Sequence, residues 1–190
     1  MAVTFRAFVA FKLPPDIIDL AAGIQSALRS RGLNLRWVKP RSLHLTVKFL
    51  GDIAETAAAG VASAMQRSCR TAAPLALTVQ GLGVFPGFRK PRVLWIGLGG
   101  QVDALEQLYA TLETELAALG FSREKRGFKA HLTLARFKGG GDRDLARVIE
   151  ELGRYEPKPF SADNLVLFKS DLRPEGAVHT PLSEVRLKAP

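Results

Sequence analysis

Residues 44–49 read HLTVKF, and residues 131–136, far along the same chain, read HLTLAR. The chain has three histidines, and two of them begin these segments. Residues i and i+2 of a β-strand share a face, so the histidine and threonine of each segment point to one side and the intervening leucine to the other. Each segment therefore predicts a strand with an aliphatic core face and a polar face. The polar positions are His44, Thr46, His131 and Thr133.

One such strand, taken alone, is typical of a half-buried structural histidine. Two matching strands in different halves of the chain favour a shared site instead, in which two imidazoles and two hydroxyls meet across a cleft. Strict alternation places Lys48 on the face of His44. It places Arg136 on the face opposite His131, so Arg136 reaches such a site only if its strand ends, twists or bulges there.

This set of groups suits a phosphate diester. With an imidazole pKa of about 6.5, one histidine can be neutral and accept a proton from water while the other is protonated and donates to the leaving oxygen. Threonine hydroxyls can hold the phosphate oxygens, and Lys48 and Arg136 can offset the phosphate charge. The two motifs are too alike to assign which histidine is the acid and which the base.

The composition favours one compact domain over residues 1–190, made of two lobes, because the chain has 190 residues, of which 47% are hydrophobic. A net charge of +9 indicates a polyanionic partner, although a solvated basic surface would explain it equally well.

The single cysteine, Cys69, excludes an intrachain disulfide and a cysteine-rich zinc site. Two histidines without carboxylates are too few for a usual metal site, so we expect no metal and no cofactor. No apolar run approaches the ~18 residues that a membrane span needs, which favours a cytoplasmic protein.

The remaining patterns predict strands and helices in two similar series, each ending in an HLT strand. Neighbouring strands are joined too closely for crossovers, which favours antiparallel sheets with outer helices, an α+β fold. The acidic pairs Asp52/Glu55 and Asp103/Glu106 predict helix N-caps. A short helix is expected after GGGD at residues 139–142, and two closing strands after that. The predicted strands are 4–13, 75–84 and 93–98. The predicted helices are 16–32, 52–70 and 103–120.

The paired motifs, with the flanking sequences WVKPRSLHLTVKFLG, PRVLWIGL, HLTLARF and LVLFKSDLRPEG, resemble the 2H phosphoesterase superfamily. Within it, the chain is similar to RNA 2′,3′-cyclic phosphodiesterases, also called 2′-5′ RNA ligases. The resemblance implies a bilobed, pseudo-two-fold α+β fold of two antiparallel sheets with a central cleft, and a metal-independent site. It implies that His44 and His131 are the acid/base pair. It also implies that Thr46, Thr133 and Arg136 bind the phosphate.

The implied reaction opens a terminal 2′,3′-cyclic phosphate on RNA to a 2′-phosphate, and the same site can join RNA ends reversibly through 2′-5′ bonds. The expected partners are such RNA ends, tRNA halves among them, or small cyclic nucleotides, bound by a monomer. The chain departs from the family's pattern at Ala130, where proline is common, and at His179, where tyrosine is common. We interpret His179 as structural. The alternative function is a module that binds RNA ends or nucleotides without turnover.

Overall fold

The computed structural model describes residues 3–139, 144–174 and 176–188. Within these ranges the chain forms nine strands and four α-helices. The strands are β1 (Thr4–Lys12), β2 (Arg36–Trp37), β3 (His44–Ala54), β4 (Leu75–Phe85), β5 (Val93–Gly100), β6 (His131–Arg136), β7 (Lys158–Ala162), β8 (Asn164–Arg173) and β9 (Gly176–Arg186). The helices are α1 (Pro15–Ser30), α2 (Ala58–Cys69), α3 (Val102–Ala117) and α4 (Leu145–Leu152).

These strands form one antiparallel sheet in the order β7-β4-β5-β6-β3-β1-β8-β9, with β2 also pairing with β6. The order divides into two matching halves with an HLT strand at the inner end of each. From β3 the first half continues to β1, β8 and β9, and from β6 the second continues to β5, β4 and β7. A single pair, Leu45 with Leu132, joins the halves. The predicted α+β class with antiparallel strands is confirmed, and the two expected sheets are halves of one continuous sheet.

The two faces of the sheet are covered differently. One face packs against the helices in a hydrophobic core that contains the leucine of each HLT segment. The opposite face, called here the open face, carries a small apolar cluster of Phe8, Ala10, Val166 and Phe168. Alternation along β1 explains the division, because its odd-numbered residues from Ala7 to Phe11 enter the helix-side core and its even-numbered residues Phe8 and Ala10 do not.

The sheet curls around its open face into a half-barrel. In sheet order β9 is three strands away from β3, a separation of about 14 Å in a flat sheet. The ring centroids of His44 in β3 and His179 in β9 are nevertheless only 5.2 Å apart. Just before β3, the Ser42 hydroxyl also donates to the Ala177 carbonyl of β9 at 3.3 Å. The curl therefore brings the outer strand β9 back to the HLT strand β3.

Both predicted helix caps are wrong. Asp52 lies within β3, where its pairing with Arg6 of β1 keeps the backbone extended, and a short 3₁₀ turn at Glu55–Ala57 precedes α2. Asp103 lies in the first turn of α3, and the N-cap residue is Gln101, which makes no side-chain capping bond. At Asp52, strand pairing with β1 outweighs the local capping pattern.

The C-terminal part has three strands where two were predicted, because a short strand, β7, pairs with β4 ahead of β8. The short helix expected after GGGD is α4. Of the GGGD segment, residues 140–142 lie outside the described residues. Within the described ranges, no helix is both long and apolar enough to cross a membrane.

Candidate active site

The leucine pair that joins the two halves also aligns the polar residues of the HLT segments. When the antiparallel register through this pair is continued by one residue each way, His44 lies opposite Thr133 and Thr46 lies opposite His131. Their side chains lie on the open face, because the leucines enter the helix-side core. Diagonal neighbours in such a ladder are about 7–8 Å apart, so both imidazoles can reach one phosphate.

The two histidines make the same local hydrogen bond. His44 Nδ1 lies 2.8 Å from the Ser42 carbonyl oxygen, and His131 Nδ1 lies 2.6 Å from the Lys129 carbonyl oxygen, in each case two residues earlier in the chain. A carbonyl oxygen only accepts, so Nδ1 carries the proton in both rings. In the neutral form each Nε2 therefore presents a lone pair, and in the charged form it presents a proton to donate.

An aromatic pair supports each imidazole. The His44 ring lies against Phe8, with centroids 4.6 Å apart, and Phe8 stacks on Phe168 at 5.2 Å. The His131 ring lies edge-on to Phe85 at 5.0 Å, and Phe85 contacts Trp95 at 4.9 Å. The strands that supply these pairs, β1 and β8 in one half and β5 and β4 in the other, occupy matching places in the sheet.

Trp95 fits only because its neighbour across the sheet is a glycine. A Cβ atom built on Gly83 would lie 2.3 Å from the Trp95 ring, far inside contact distance. Gly83 pairs with Trp95 between β4 and β5, so the indole lies flat over its partner strand. The glycine therefore fixes the aromatic support under His131.

Burial lowers the pKa of both histidines below the ordinary value of 6.5. For His44 burial dominates and the pKa falls to about 4; the bond to the Ser42 carbonyl opposes this shift, and His179 and His131 add to it. For His131 burial is again the largest cause, opposed by the Lys129 carbonyl and reinforced by the positive charge of Arg136. Both rings are therefore mainly neutral at pH 7 in the free protein.

A β-bulge brings Arg136 to the open face. In the pairing of β6 with β5, Thr133 faces Trp95 and Ala135 faces Leu94, so Leu134 is the extra residue and the alternation reverses after it. Arg136 consequently shares the face of His131 and Thr133. Sequence alternation required β6 to end, twist or bulge before Arg136 could reach this face, and β6 bulges at Leu134.

A buried glutamine holds this bulge. The Gln25 side-chain amide donates to the Leu134 carbonyl at 2.9 Å and to the Val38 carbonyl at 2.8 Å, and the Val38 amide also donates to Leu134 at 2.9 Å. Gln25 is only 2% exposed. Helix α1 thus satisfies the backbone where β6 departs from regular pairing.

The expectation for Lys48 is wrong, because β3 bulges at the corresponding place. Thr46 faces Ala10 and Lys48 faces Val9, so Val47 is the extra residue and Lys48 turns to the helix side. Its ammonium group lies 2.5 Å from Glu113 of α3 and donates to the Ser122 carbonyl at 2.9 Å. The Lys48 side chain is 3% exposed. Lys48 is therefore part of a buried ion pair and lies away from the open face.

The same bulge reverses the next position, Phe49, whose side chain strict alternation along β3 would turn to the helix side. Phe49 pairs with Phe8, their ring centroids are 6.1 Å apart, and it is 53% exposed. Phe49 occupies in β3 the place that Arg136 occupies in β6, five residues after the histidine. No sequence signal marks the bulge that places it there.

The structure also brings His179, interpreted from sequence as structural, next to the HLT pair. Its ring is edge-on to His44 at 5.2 Å and to Phe8 at 4.9 Å. Only the curl of the sheet brings them together, and no local sequence pattern predicts that contact.

A family model described as the 2′-5′ RNA ligase superfamily matches residues 14–174 of the chain. The RNA 2′,3′-cyclic phosphodiesterase of Methanothermobacter thermautotrophicus is 33% identical over 183 residues, which cover 96% of this chain and 98% of that protein. A Thermus thermophilus protein of known structure superposes with a TM-score of 0.75 at 28% identity, covering 96% of this chain and 97% of that one. Escherichia coli LigT complexed with 3′-AMP superposes with a TM-score of 0.77 at 22% identity, covering 98% and 100% of the two chains. The chain belongs to the 2′-5′ RNA ligase superfamily.

Proposed function

We propose that this member of the 2′-5′ RNA ligase superfamily hydrolyses the terminal 2′,3′-cyclic phosphate of RNA to a 2′-phosphate, with His44 and His131 as its acid/base pair. The main support for the proposal is that the two imidazoles lie on one face of the sheet and make the same backbone hydrogen bond. In each ring, Nδ1 donates to a backbone carbonyl, which directs Nε2 to the substrate. The curated relative from Methanothermobacter thermautotrophicus bears the name of this activity.

In the proposed reaction one neutral imidazole takes a proton from water as the water oxygen bonds to phosphorus. The bond from phosphorus to the ribose 3′ oxygen breaks, and the other imidazole, protonated, gives its proton to that oxygen. Charge on the phosphate oxygens is held by the Thr46 and Thr133 hydroxyls and by the Arg136 guanidinium. Neither threonine hydroxyl has a hydrogen-bond partner among the described residues, so both are available for a ligand.

Phe49 gives the site a flat apolar surface for the nucleobase. Its exposed ring lies on the same face as the imidazoles, and base–aromatic stacking contributes about 1–3 kcal/mol per base without sequence preference. A substrate that combines a cyclic phosphate with an adjacent base therefore fits the site better than a bare phosphate ester.

The net charge of +9 supports RNA as the wider substrate, because phosphate contacts with lysine and arginine supply much of the affinity for RNA. Within this proposal, tRNA halves and small cyclic nucleotides are both substrates, and in 2′-5′ joining the 5′ hydroxyl of a second RNA end replaces water as the nucleophile at the same site. We propose that one domain spanning residues 1–190 acts as a cytoplasmic monomer; one core cluster contributed by both halves of the sheet supports the single domain.

The test is turnover of an oligoribonucleotide ending in a 2′,3′-cyclic phosphate, followed by chromatography. His44→Ala and His131→Ala should each lower kcat by about 10²- to 10⁴-fold, the usual contribution of a positioned acid or base. Arg154→Ala, at an exposed side chain beyond α4, is the control and should act like wild type. Near wild-type rates in either histidine variant would disprove the two-histidine mechanism.

The same assay separates the enzyme from a non-catalytic module. Binding of the cyclic-phosphate end with no product over hours would favour the module. A further arm contains a strong chelator, in which activity should persist because the proposed steps use only side chains and water.

A further inference from the structure

His179 is the one histidine to which the proposed chemistry gives no role. It pairs with Ser170 of β8, two residues along from Phe168, so its side chain lies on the open face. Its ring is edge-on to His44 at 5.2 Å and to Phe8 at 4.9 Å, and 6.4 Å from Phe168. It therefore belongs to the same wall of the half-barrel as His44.

The two nitrogens of His179 have different surroundings. Nδ1 is buried and has no hydrogen-bond partner among the described residues. Among those residues Nδ1 lacks a partner in either tautomer, but a buried N–H without an acceptor is rarer in proteins than a buried acceptor without a donor. The favoured neutral tautomer therefore carries its proton on Nε2. Burial also lowers the pKa of His179, so the neutral form dominates at pH 7.

This tautomer is opposite to that of the other two histidines. His44 and His131 are bound through Nδ1–H, so their neutral rings present a lone pair at Nε2. His179 instead presents an N–H group at neutral pH without needing a positive charge. Within the described residues no hydrogen bond joins His179 to His44, whose rings are edge-on at 5.2 Å, and neither Nε2 atom has a hydrogen-bond partner there.

We propose that His179 contacts the substrate, donating a hydrogen bond from Nε2–H to a phosphate oxygen and thus serving as the third imidazole of the site. This inference rests on the proposed phosphodiesterase function. The two halves of the sheet then hold the phosphate with different donors, the Arg136 guanidinium from β6 and the neutral His179 ring from β9. A neutral donor near His44 also leaves the proton affinity of that ring less disturbed than a second cation would.

Substitutions at His179 separate hydrogen bonding from packing. His179→Phe keeps an aromatic ring against Phe8 and removes the donor, whereas His179→Gln loses the ring and keeps an amide N–H near the position of Nε2. His179→Asn places its amide near the position of Nδ1 instead. A hydrogen bond to a charged phosphate predicts that Phe and Asn lower kcat/KM for a 2′,3′-cyclic nucleotide by about 10- to 100-fold. Gln should stay within about five-fold of wild type.

If His179→Phe kept wild-type kcat/KM, or if Gln lost as much as Asn, His179 would be a packing residue and the inference would be overturned. Wild-type turnover is measured in the same experiment, so an inactive wild type would instead refute the proposed phosphodiesterase function.

Imidazole ¹⁵N NMR of the free protein gives a readout independent of turnover. It should show His179 protonated at Nε2 and the other two rings at Nδ1, and a His179 protonated at Nδ1 would contradict the argument. On titration with 2′-AMP, the His179 Nε2 signal should shift, and an unmoved signal would also overturn the contact.

Discussion

Replacing Lys48 by methionine should destabilise the protein strongly and affect turnover little. Lys48 and Glu113 are 3% and 7% exposed, and their charged atoms are 2.5 Å apart. Each also holds the segment after α3, since Lys48 donates to the Ser122 carbonyl at 2.9 Å and the Glu124 amide donates to Glu113 at 3.0 Å. Lys48→Met removes one charge and leaves a carboxylate buried without its cation.

Breaking a buried pair in this way typically costs about 3–5 kcal/mol. For a domain of this size, that loss lowers the midpoint of thermal unfolding by roughly 6–20 °C. Urea unfolding followed by circular dichroism should show the loss at unchanged slope. Below the unfolding transition, kcat/KM should stay within about five-fold of wild type, because the ammonium lies on the helix side of β3, away from the two histidines.

The chain offers a matched control in the exposed pair Lys12–Glu184, whose atoms are 2.6 Å apart with side chains 48% and 42% exposed. Lys12→Met should cost at most about 1 kcal/mol, because water solvates both charges. The double variant Lys48→Met/Glu113→Leu should recover most of the stability lost by the single variant. A single variant that unfolds like wild type, yet loses turnover by 100-fold, would refute this reasoning and restore Lys48 as a phosphate ligand.

The remaining predictions concern the open face. Because the free-protein pKa values of His44 and His131 are both below 6.5, the pH profile of kcat/KM should be bell-shaped with its maximum below pH 6.5; a maximum above pH 8 would contradict both shifts. Arg136→Gln should lower kcat/KM by about 10- to 100-fold, with partial recovery in Arg136→Lys, as steady-state kinetics would measure. Phe49→Leu should raise KM for a cyclic nucleotide by about five-fold or more at nearly constant kcat, while Phe49→Trp should not. Gln25→Met should lower both stability, by about 1–3 kcal/mol in urea unfolding, and kcat/KM, because Gln25 holds the bulge that orients Arg136.

Sequence alternation predicted the faces of the HLT strands correctly as far as Val47 and Leu134 and failed at the residue after each of them. The pattern has a period of two, so a single extra residue reverses every later side chain. Val47 and Leu134 are such residues, but nothing in either aliphatic side chain distinguishes a bulge from regular pairing. The bulges depend on partner strands and, at Leu134, on a buried glutamine more than 100 residues away in sequence.

The position of His179 was beyond sequence reasoning for a different reason. Hydrophobic periodicity reports only which side of a strand faces the core. How strongly a sheet curls is set by the packing of all its strands, and that curl decides whether β9 lies far from β3 or against it. The paired motifs therefore indicated His44 and His131 as candidates, and only the folded sheet brings His179 beside His44.

The two bulges also explain how a nearly symmetric scaffold can bind an asymmetric substrate. They lie three residues after each histidine, so the backbone stays matched while the residue turned onto the open face differs, Phe49 in one half and Arg136 in the other. An apolar ring favours a nucleobase, and a guanidinium favours a phosphate oxygen. His179 adds a neutral donor only on the Phe49 side. A cyclic nucleotide turned by the pseudo-two-fold axis would place its base on Arg136 and its charge on Phe49, so the side chains at these positions, rather than the fold, select one binding orientation.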